Sequence, residues 1–306
     1  MGRAGSPWPA RCQRAGNVRP MMRIDAHLHL WELDGPVPHP WLGPQLGKLH
    51  ADFPAVQAGD VLREHGIDGA VLVQASDSEA ETEYLLAAAA THAWVAGVVG
   101  WVDLSDPRAA EAQLERWLPG GMLVGVRHLI HDEPDPAFIL RPAVRDSLGL
   151  LAEAGVPLDI PDAYPRHLHQ APVLLDAVPG LRLVIDHLAK PPFIRGAEAM
   201  ADWERMLRLI AVYPAVTSKV SGLDFGPGFS AESVRVAIEV ALDCFGAERL
   251  MYGGDWPMTV AGHGYGQNLR AISSAVDELS LAERESIWSG TWKRVYGRNR
   301  SNAEII

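Results

Sequence analysis

The stretch Ile24-Asp25-Ala26-His27-Leu28-His29-Leu30 is the first of eight short apolar runs, and these runs decide the fold. Val, Leu, Ile and Ala make several of them nearly continuous, as expected for parallel strands that are buried on both faces. The predicted strands cover residues 23–30, 69–75, 95–102, 123–129, 156–160, 181–187, 215–220 and 250–254.

Amphipathic stretches lie between the predicted strands and carry apolar residues three and four positions apart. The clearest predicted helices cover residues 79–92, 107–118, 142–154, 200–213 and 231–245. This repeated strand–helix unit in a chain of 306 residues predicts an α/β protein with a (β/α)8 (TIM) barrel, a fold that reaches this length as one domain. An open, doubly wound sheet is the alternative, but no glycine fingerprint for a dinucleotide follows the first strand.

Residues 22–298 are predicted to form this single domain. Residues 1–21 hold four arginines, no acidic residue and no apolar segment of the kind that a secretion signal needs, so we expect a disordered extension. Residues 299–306 are expected to form a frayed tail. The irregular stretch 31–57 is rich in Pro, Gly and Trp and follows the first strand directly, so we expect it to fold over the mouth of the barrel.

The composition limits the partners and the location. With 27 basic and 38 acidic residues the formal net charge is -11, so nucleic acid, which needs a basic face, is not an expected partner. No apolar run approaches the length of a membrane span. Cys12 and Cys244 lie in no disulfide or metal-binding pattern, which fits a reducing cytoplasm. The sequence leaves open whether the chain forms a homo-oligomer.

Polar residues cluster where the predicted strands end. In (β/α)8 barrels the active site forms at these carboxyl ends. An unpaired polar group costs free energy in an apolar core, so we expect these side chains to converge and to satisfy one another or a ligand. The residues are His27, His29, Gln74, Arg127, His128, Asp159, Asp162, His187, Lys219, Ser221 and Asp255.

Four of these residues form the predicted catalytic group. His27 and His29 alternate along a strand and therefore point to the same side. A single histidine is more often structural, but this pair recurs with His187 and Asp255 at two later strand ends, which favours a functional site. The two glycines before Asp255 allow a tight exit that projects its carboxylate inward. The same four side chains could ligate one divalent ion.

A second group is predicted to contact the substrate. Arg127 could bind a substrate carboxylate or lactone oxygens through two hydrogen bonds, or it could form a structural ion pair at the barrel rim. His128 lies on the opposite face of the same strand and could instead pack outward against a helix. Tyr164 could bond a hydroxyl group, and Trp31 could line the mouth. The predicted substrate-binding residues are Arg127, Gln74, His128, Tyr164 and Trp31.

Four segments together resemble the sugar-lactonase branch of the amidohydrolase superfamily. They cover residues 25–31, 125–134, 186–191 and 252–257, and the resemblance runs in order from about residue 22 to residue 297. That branch includes L-fuconolactone and L-rhamnonolactone hydrolases and 2-pyrone-4,6-dicarboxylate lactonase. The resemblance implies a sometimes distorted barrel that hydrolyses a cyclic ester.

The resemblance also implies roles for the catalytic group. His27, His29 and His187 would hold or polarise the carbonyl, and Asp255 would activate water. Many members of the superfamily carry a carboxylated lysine on the fourth strand, where residues 123–128 of this chain read Leu-Val-Gly-Val-Arg-His. A two-metal centre is therefore not expected. One divalent ion, zinc first, remains compatible with the resemblance, and so does the metal-free chemistry of some members.

The function expected from the sequence is hydrolysis of a small-molecule lactone, such as L-fucono- or L-rhamnono-lactone. Two alternatives keep the same scaffold: a mononuclear-zinc decarboxylase of an unsaturated carboxylic acid, and a non-catalytic barrel that binds a ligand. A deaminase or amidase would need stronger metal activation than this set of ligands suggests.

Overall fold

A computed structural model describes residues 21–161, 164–224 and 228–297. It confirms the (β/α)8 barrel: eight parallel strands pair with one another in sequence order. Each strand is buried, as the apolar runs predict. The strands are β1 (Ile24–Leu28), β2 (Gly69–Val73), β3 (Val95–Gly100), β4 (Leu123–Arg127), β5 (Leu158–Ile160), β6 (Leu183–Ile185), β7 (Val216–Val220) and β8 (Leu250–Tyr252).

Helices follow the strands and form the outer layer. Where the sequence predicts a helix, a helix is found, with ends that shift by a few residues. The helices are α1 (Ala55–Glu64), α2 (Glu79–Thr91), α3 (Pro107–Trp117), α4 (Pro142–Ala154), α5 (Gln170–Ala177), α6 (Gly196–Ala211), α7 (Ala231–Phe245), α8 (Tyr265–Val276), α9 (Leu281–Glu285) and α10 (Thr291–Val295). In the described part of the chain, none of them has the length and apolar character that crossing a membrane requires.

Local signals explain the clearest helix ends. The Ser78 hydroxyl accepts a hydrogen bond from the backbone N–H of Glu81 at the start of α2. The Asp106 carboxylate caps α3 in the same way, and Pro107 occupies the first turn, where its missing N–H is not needed. Gly155 ends α4 with a φ of 66°, a left-handed conformation that favours glycine.

The barrel closes between β1 and the residues that follow β8. The backbone N–H of His29 donates to the Trp256 carbonyl over 2.7 Å, and the N–H of Asp255 donates to the His27 carbonyl over 2.7 Å. On its other side, the pairing of β1 with β2 has a register shift between Asp25 and Leu28. The segments that carry His27, His29 and Asp255 are therefore joined through the backbone.

Two apolar clusters surround the strands. The larger one packs the helices against the outside of the barrel. A smaller one joins Val71, Val99, Val184 and other strand residues to Trp292 and Tyr296 near the end of the chain, which fill the base of the barrel. The polar side chains are left for the opposite end.

The segment after β1 lies at the mouth of the barrel, as predicted. Trp31 and Phe53 exchange two backbone hydrogen bonds, of 3.3 and 2.7 Å, and their rings meet edge to face. The indole of Trp41 contacts Trp31 and donates to the Ala75 carbonyl over 2.7 Å. Apart from Met21, the predicted extension 1–21 lies outside the described residues, and so does the predicted tail 299–306.

Asp25 stabilises the closed barrel. Its carboxylate accepts hydrogen bonds from the backbone N–H groups of His27 (2.9 Å) and Gly254 (2.7 Å), and from the Tyr265 hydroxyl (2.8 Å). Burial raises the pKa of Asp25 to about 7, so a neutral amide is a fair substitute for the carboxyl group.

We therefore expect Asp25→Ala to lower the free energy of unfolding by roughly 3 kcal/mol, because it leaves three buried donors without an acceptor. Asp25→Asn keeps an acceptor for both backbone groups and should lose about 1 kcal/mol. Urea unfolding of both variants measures the difference. Equal losses of unfolding free energy in the two variants would show that these three hydrogen bonds do not stabilise the closed barrel.

Candidate active site

His27, His29 and Asp255 meet at the carboxyl end of the barrel. The Nε2 atoms of the two histidines lie 3.0 Å apart, and the Asp255 Oδ1 atom lies 3.5 Å from His29 Nε2 and 3.7 Å from His27 Nε2. All three side chains are buried. The predicted convergence of the first and eighth strand ends is thus present in the structure.

The turn after β8 is shaped to present Asp255. A Cβ atom on Gly254 would collide with Tyr265 and with the Asp25 carboxylate, and one on Gly253 would lie 2.8 Å from Cβ of His27. Asp255 itself has a φ of 53°, in the left-handed region that side chains rarely adopt. The two glycines let the backbone pass close to β1 and turn sharply, as the sequence predicts.

His187 is presented by an unusual backbone. Residues 187–190 have φ values of 56°, 50°, 56° and 55°, although none of them is glycine. Each such residue lowers the stability of the fold by on the order of 1–2 kcal/mol, so contacts with the surrounding structure must keep the segment in this conformation. The Trp203 indole donates to the Leu188 carbonyl over 2.7 Å, and His187 Nδ1 lies 2.9 Å from the Ser221 hydroxyl. The imidazole ring is thereby held 4.5 Å from that of His27, measured between centroids.

A buried cluster of charges lies against His27. The Lys219 ammonium contacts Asp159 Oδ2 at 2.5 Å, Asp186 Oδ1 at 3.0 Å and His27 Nδ1 at 3.1 Å. Arg127 Nη1 lies 3.3 Å from Asp186 Oδ2 and 3.1 Å from His27 Nε2. The sequence marks Lys219 and Asp159 as polar strand-end residues, but it assigns no role to them or to Asp186.

Burial and these charges set the protonation of the site. Burial, with the nearby Lys219 ammonium, holds the pKa of His27 well below its usual range, and burial does the same for His187. Both rings are therefore neutral at physiological pH. Burial raises the pKa of Asp255. Burial would also raise that of Asp186, but the cations Lys219 and Arg127 outweigh it and hold the pKa below the ordinary value.

The convergent groups open into a cavity of about 210 Å³. The apolar walls of the cavity are formed mainly by Trp31, Trp41, Leu129 and Met258. Its polar walls contain both cations and carboxylates. A concave site with an apolar body and a few directed polar groups is typical of small-molecule binding. The polar lining residues are His29, Arg127, His131, Asp132, His187, Lys190 and Asp255.

Of the residues predicted to contact substrate, the structure brings Arg127 and Trp31 to the cavity and places three elsewhere. The Gln74 amide donates to Asp77 and to the Arg127 carbonyl, and so supports β4. His128 follows the end of β4 and faces away from Arg127.

His128 stacks on Phe138 and contacts Glu133 over 2.7 Å. The Tyr164 hydroxyl donates to Asp202 near α6 over 3.0 Å. None of the three is among the described residues that line the cavity. Asp162 lies outside the described residues.

The donor set fits one divalent ion. His27, His29 and Asp255 each offer a ligand atom, and these atoms lie within 4.8 Å of one another. Neither Asp255 oxygen accepts a well-oriented hydrogen bond from the described residues, so both are available to a ligand. A second group, His27, Asp186 and His187, is equally close, but Asp186 already faces Lys219 and Arg127. Nitrogen and carboxylate donors in this number suit zinc.

The barrel brings two histidines and one carboxylate together at the carboxyl ends of its strands, which is where enzymes of this fold have their active sites. The sequence profile of the amidohydrolase family matches residues 24–298. The chain belongs to this family, and the resemblance seen in the sequence is confirmed.

Two proteins named L-fucono-1,5-lactonase are similar over nearly their whole length. The one from Burkholderia multivorans is 33% identical over 287 residues, which cover 90% of this chain and 96% of that protein. The one from Burkholderia ambifaria is 33% identical over 290 residues, covering 92% and 98%. A crystal structure of a Burkholderia multivorans amidohydrolase with bound zinc superposes with a TM-score of 0.82 at 30% identity, covering 90% of this chain and 99% of that one.

Gly222 tests how tightly the site is assembled. It has a φ of 54°, and a Cβ atom there would collide with His187 and lie 2.8 Å from Asp255 Oδ2. Gly155 is a matched control, since it has a φ of 66° and nothing within 4 Å of the same added atom.

We expect both alanine variants to lose on the order of 1–2 kcal/mol of stability through backbone strain. Only Gly222→Ala should also displace the His187 ring. Urea unfolding measures the first effect, and the imidazole resonances of His187 measure the second. A His187 signal unchanged in Gly222→Ala would contradict the close packing.

Proposed function

We propose that this chain is a hydrolase that opens a small cyclic ester, a sugar lactone such as L-fucono- or L-rhamnono-lactone. The observation that carries the proposal is the buried Asp255 carboxylate, which has free oxygen atoms beside two imidazoles at the wall of a cavity. The two L-fucono-1,5-lactonases that align with nearly all of the chain support the same reaction.

Asp255 is the base in this proposal. Its carboxylate accepts a proton from a water molecule as the water oxygen attacks the lactone carbonyl carbon. Burial raises the pKa of Asp255 and so makes it a better proton acceptor than an exposed carboxylate. The carbon–oxygen bond of the ring then breaks, and Asp255 returns the proton to the departing ring oxygen. The product is a hydroxy acid.

The histidines have different roles because their partners differ. His29 Nδ1 lies 2.8 Å from the Val73 carbonyl, which can only accept, so this nitrogen carries the proton and Nε2 carries a lone pair. His29 Nε2 can therefore hold a metal ion or accept a proton, but in the neutral ring it cannot donate to an oxyanion. His27, His187 and Arg127 are left to donate to the developing negative charge.

A divalent ion is compatible with the same residues. Held by His27, His29 and Asp255, it would polarise the carbonyl and lower the pKa of bound water. An ester has a better leaving group than an amide, so hydrogen bonds from neutral imidazoles and a guanidinium are a workable alternative.

The cavity walls suit a hydroxylated ring and its acid product. Trp31 and Trp41 offer aromatic faces, whereas Asp132 offers a carboxylate that can accept from hydroxyl groups. Arg127 and Lys190 place two cations on the cavity in a chain of net charge -11. They favour the carboxylate that ring opening generates.

Replacement of the base tests the mechanism. Asp255→Asn keeps the size of the side chain but removes the proton acceptor, and we expect kcat for lactone hydrolysis to fall roughly 10³-fold. Asp60→Asn, an exposed change on α1, is the control for expression and folding. Near-normal hydrolysis by Asp255→Asn would exclude this residue as the base.

A substrate panel tests the reaction class. Aldonolactones assayed with a pH indicator, with and without a chelator, should release acid from at least one six-carbon lactone. The mononuclear-zinc decarboxylase that shares this scaffold would instead release carbon dioxide from an unsaturated acid and lose all activity on chelation. Absence of acid release across the panel, with carbon dioxide release from aromatic or unsaturated acids, would replace the lactonase proposal.

A further inference from the structure

The loop between β4 and α4 (residues 128–141) carries a carboxylate to the rim of the cavity. Asp132 lines the cavity, although its side chain is 63% exposed. An exposed side chain on a loop ordinarily keeps much of its conformational freedom, and a ligand that binds it must restrict that freedom. Asp132 therefore recognises a ligand efficiently only if its backbone is already fixed. Hydrogen bonds from three directions fix it.

The first half of the loop is a turn that is attached to the end of β2. The backbone N–H of Asp132 donates to the Leu129 carbonyl over 2.9 Å and closes the turn. The N–H of Leu129 donates to the Asp77 carboxylate, with both oxygen atoms 3.0 Å from the nitrogen. The Gln74 amide donates to the same carboxylate over 3.0 Å. The residues that follow β2 thus hold the start of the loop.

His128 binds the loop directly after Asp132. The Trp101 indole N–H can only donate, and it lies 3.2 Å from His128 Nδ1. The neutral ring therefore carries its proton on Nε2 and donates it to Glu133 Oε1 over 2.7 Å. Both side chains are largely buried. A short hydrogen bond to a carboxylate is of the strong, charge-assisted kind, so the residue next to Asp132 is firmly held.

Arg166 binds the backbone on either side of Asp132. Its Nη1 atom donates to the His131 carbonyl and its Nη2 atom to the Glu133 carbonyl, each over 3.0 Å. Arg166 lies between β5 and α5, in the next strand–helix unit of the barrel. A planar guanidinium presents its N–H groups as a rigid fork, which sets the distance between the two carbonyls. Asp132 is the residue between them.

We infer that Asp132 is a specificity-determining residue that accepts hydrogen bonds from hydroxyl groups of the ligand, and that His128 and Arg166 are positioning residues that hold it in place. The inference rests on the proposed function for the class of ligand, a hydroxylated lactone or the acid that it yields. The carboxylate of that acid is attracted to the cations Arg127 and Lys190 on the cavity wall and repelled by Asp132. The hydroxyl groups are the part of the ligand that suits Asp132.

Ligand binding tests the role of Asp132 without turnover. L-fuconate and hexanoate each have six carbons and one carboxylate, but hexanoate has no hydroxyl group. We expect the wild-type protein to bind L-fuconate more tightly in a calorimetric titration. Asp132→Ala should weaken L-fuconate binding roughly 10- to 100-fold, the range for a hydrogen bond to a charged group, and should not weaken hexanoate binding. Equal wild-type affinity for the two acids, or equal weakening of both, would overturn the inference.

Two substitutions of His128 test its hydrogen bond to Glu133. Both remove the stacking on Phe138. The amide of His128→Gln reaches the position of Nε2 and still donates to Glu133, whereas the amide of His128→Asn reaches only the position of Nδ1. We expect backbone amides 129–133 to exchange hydrogen roughly tenfold faster in His128→Asn and at nearly the wild-type rate in His128→Gln, with L-fuconate affinity in the same order. Equal behaviour of the two variants would refute the role of this hydrogen bond.

Arg166→Lys tests the contact with the two carbonyls, because an ammonium lacks the fork that binds both. L-fuconate binding should weaken roughly 3- to 10-fold, the range for one lost hydrogen bond. Arg141→Lys is the matched control, since Arg141 contacts the same loop at Asp135, away from Asp132. Equal weakening in the two variants, or none in Arg166→Lys, would show that Arg166 does not position Asp132.

Kinetics distinguish recognition from chemistry. With the lactone that the wild type hydrolyses best, Asp132→Ala and His128→Asn should raise KM and leave kcat within about twofold, because the contact is equally strong in the ground state and the transition state. A lower kcat with an unchanged KM would contradict a role in recognition. If no lactone is hydrolysed, the proposed function fails, but the binding and exchange measurements still decide the role of Asp132.

Discussion

The site depends on how the barrel closes. Two backbone hydrogen bonds of 2.7 Å join the end of β1 to the residues after β8, and the Asp25 carboxylate ties the same two segments together. They fix the backbone positions of His27 and Asp255 relative to each other. Because a glycine pair is required for this close passage, the geometry of the candidate site and the closure of the sheet are one structural feature.

The rest of the site opposes the stability of the fold. The run of left-handed residues that presents His187 is strained, and four buried charged side chains surround His27. Buried ion pairs contribute little net stability, since desolvation offsets most of their attraction. The packing of valines against Trp292 and Tyr296 at the base of the barrel acts in the opposite direction, because it buries apolar surface. Such local costs, held in place by the surrounding structure, are typical of sites kept for function.

Most of the fold was predictable from the sequence because parallel strands buried on both faces leave a strong apolar signal. The strand ends were less predictable: the predicted eighth strand ran to residue 254, but β8 stops at Tyr252 and the glycines turn away. The convergence of His27, His29, His187 and Asp255 was predicted from their residue types and their repeated position at strand ends. The left-handed backbone of residues 187–190 was not predicted, because Leu188 and Ala189 carry no local signal for it. The sequence indicated Lys219 as a polar strand-end residue but gave it no role, since its partner Asp159 lies 60 residues away in the chain.

His27 lies between two kinds of partner: Lys219 and Asp186 contact its Nδ1 atom, and His29 contacts its Nε2 atom. The ligand atoms of His27, His29 and Asp255 would suit zinc, as far as their positions are concerned. An ester carbonyl requires less activation than an amide, so the proposed hydrolysis of a lactone places a modest demand on the donors at this rim.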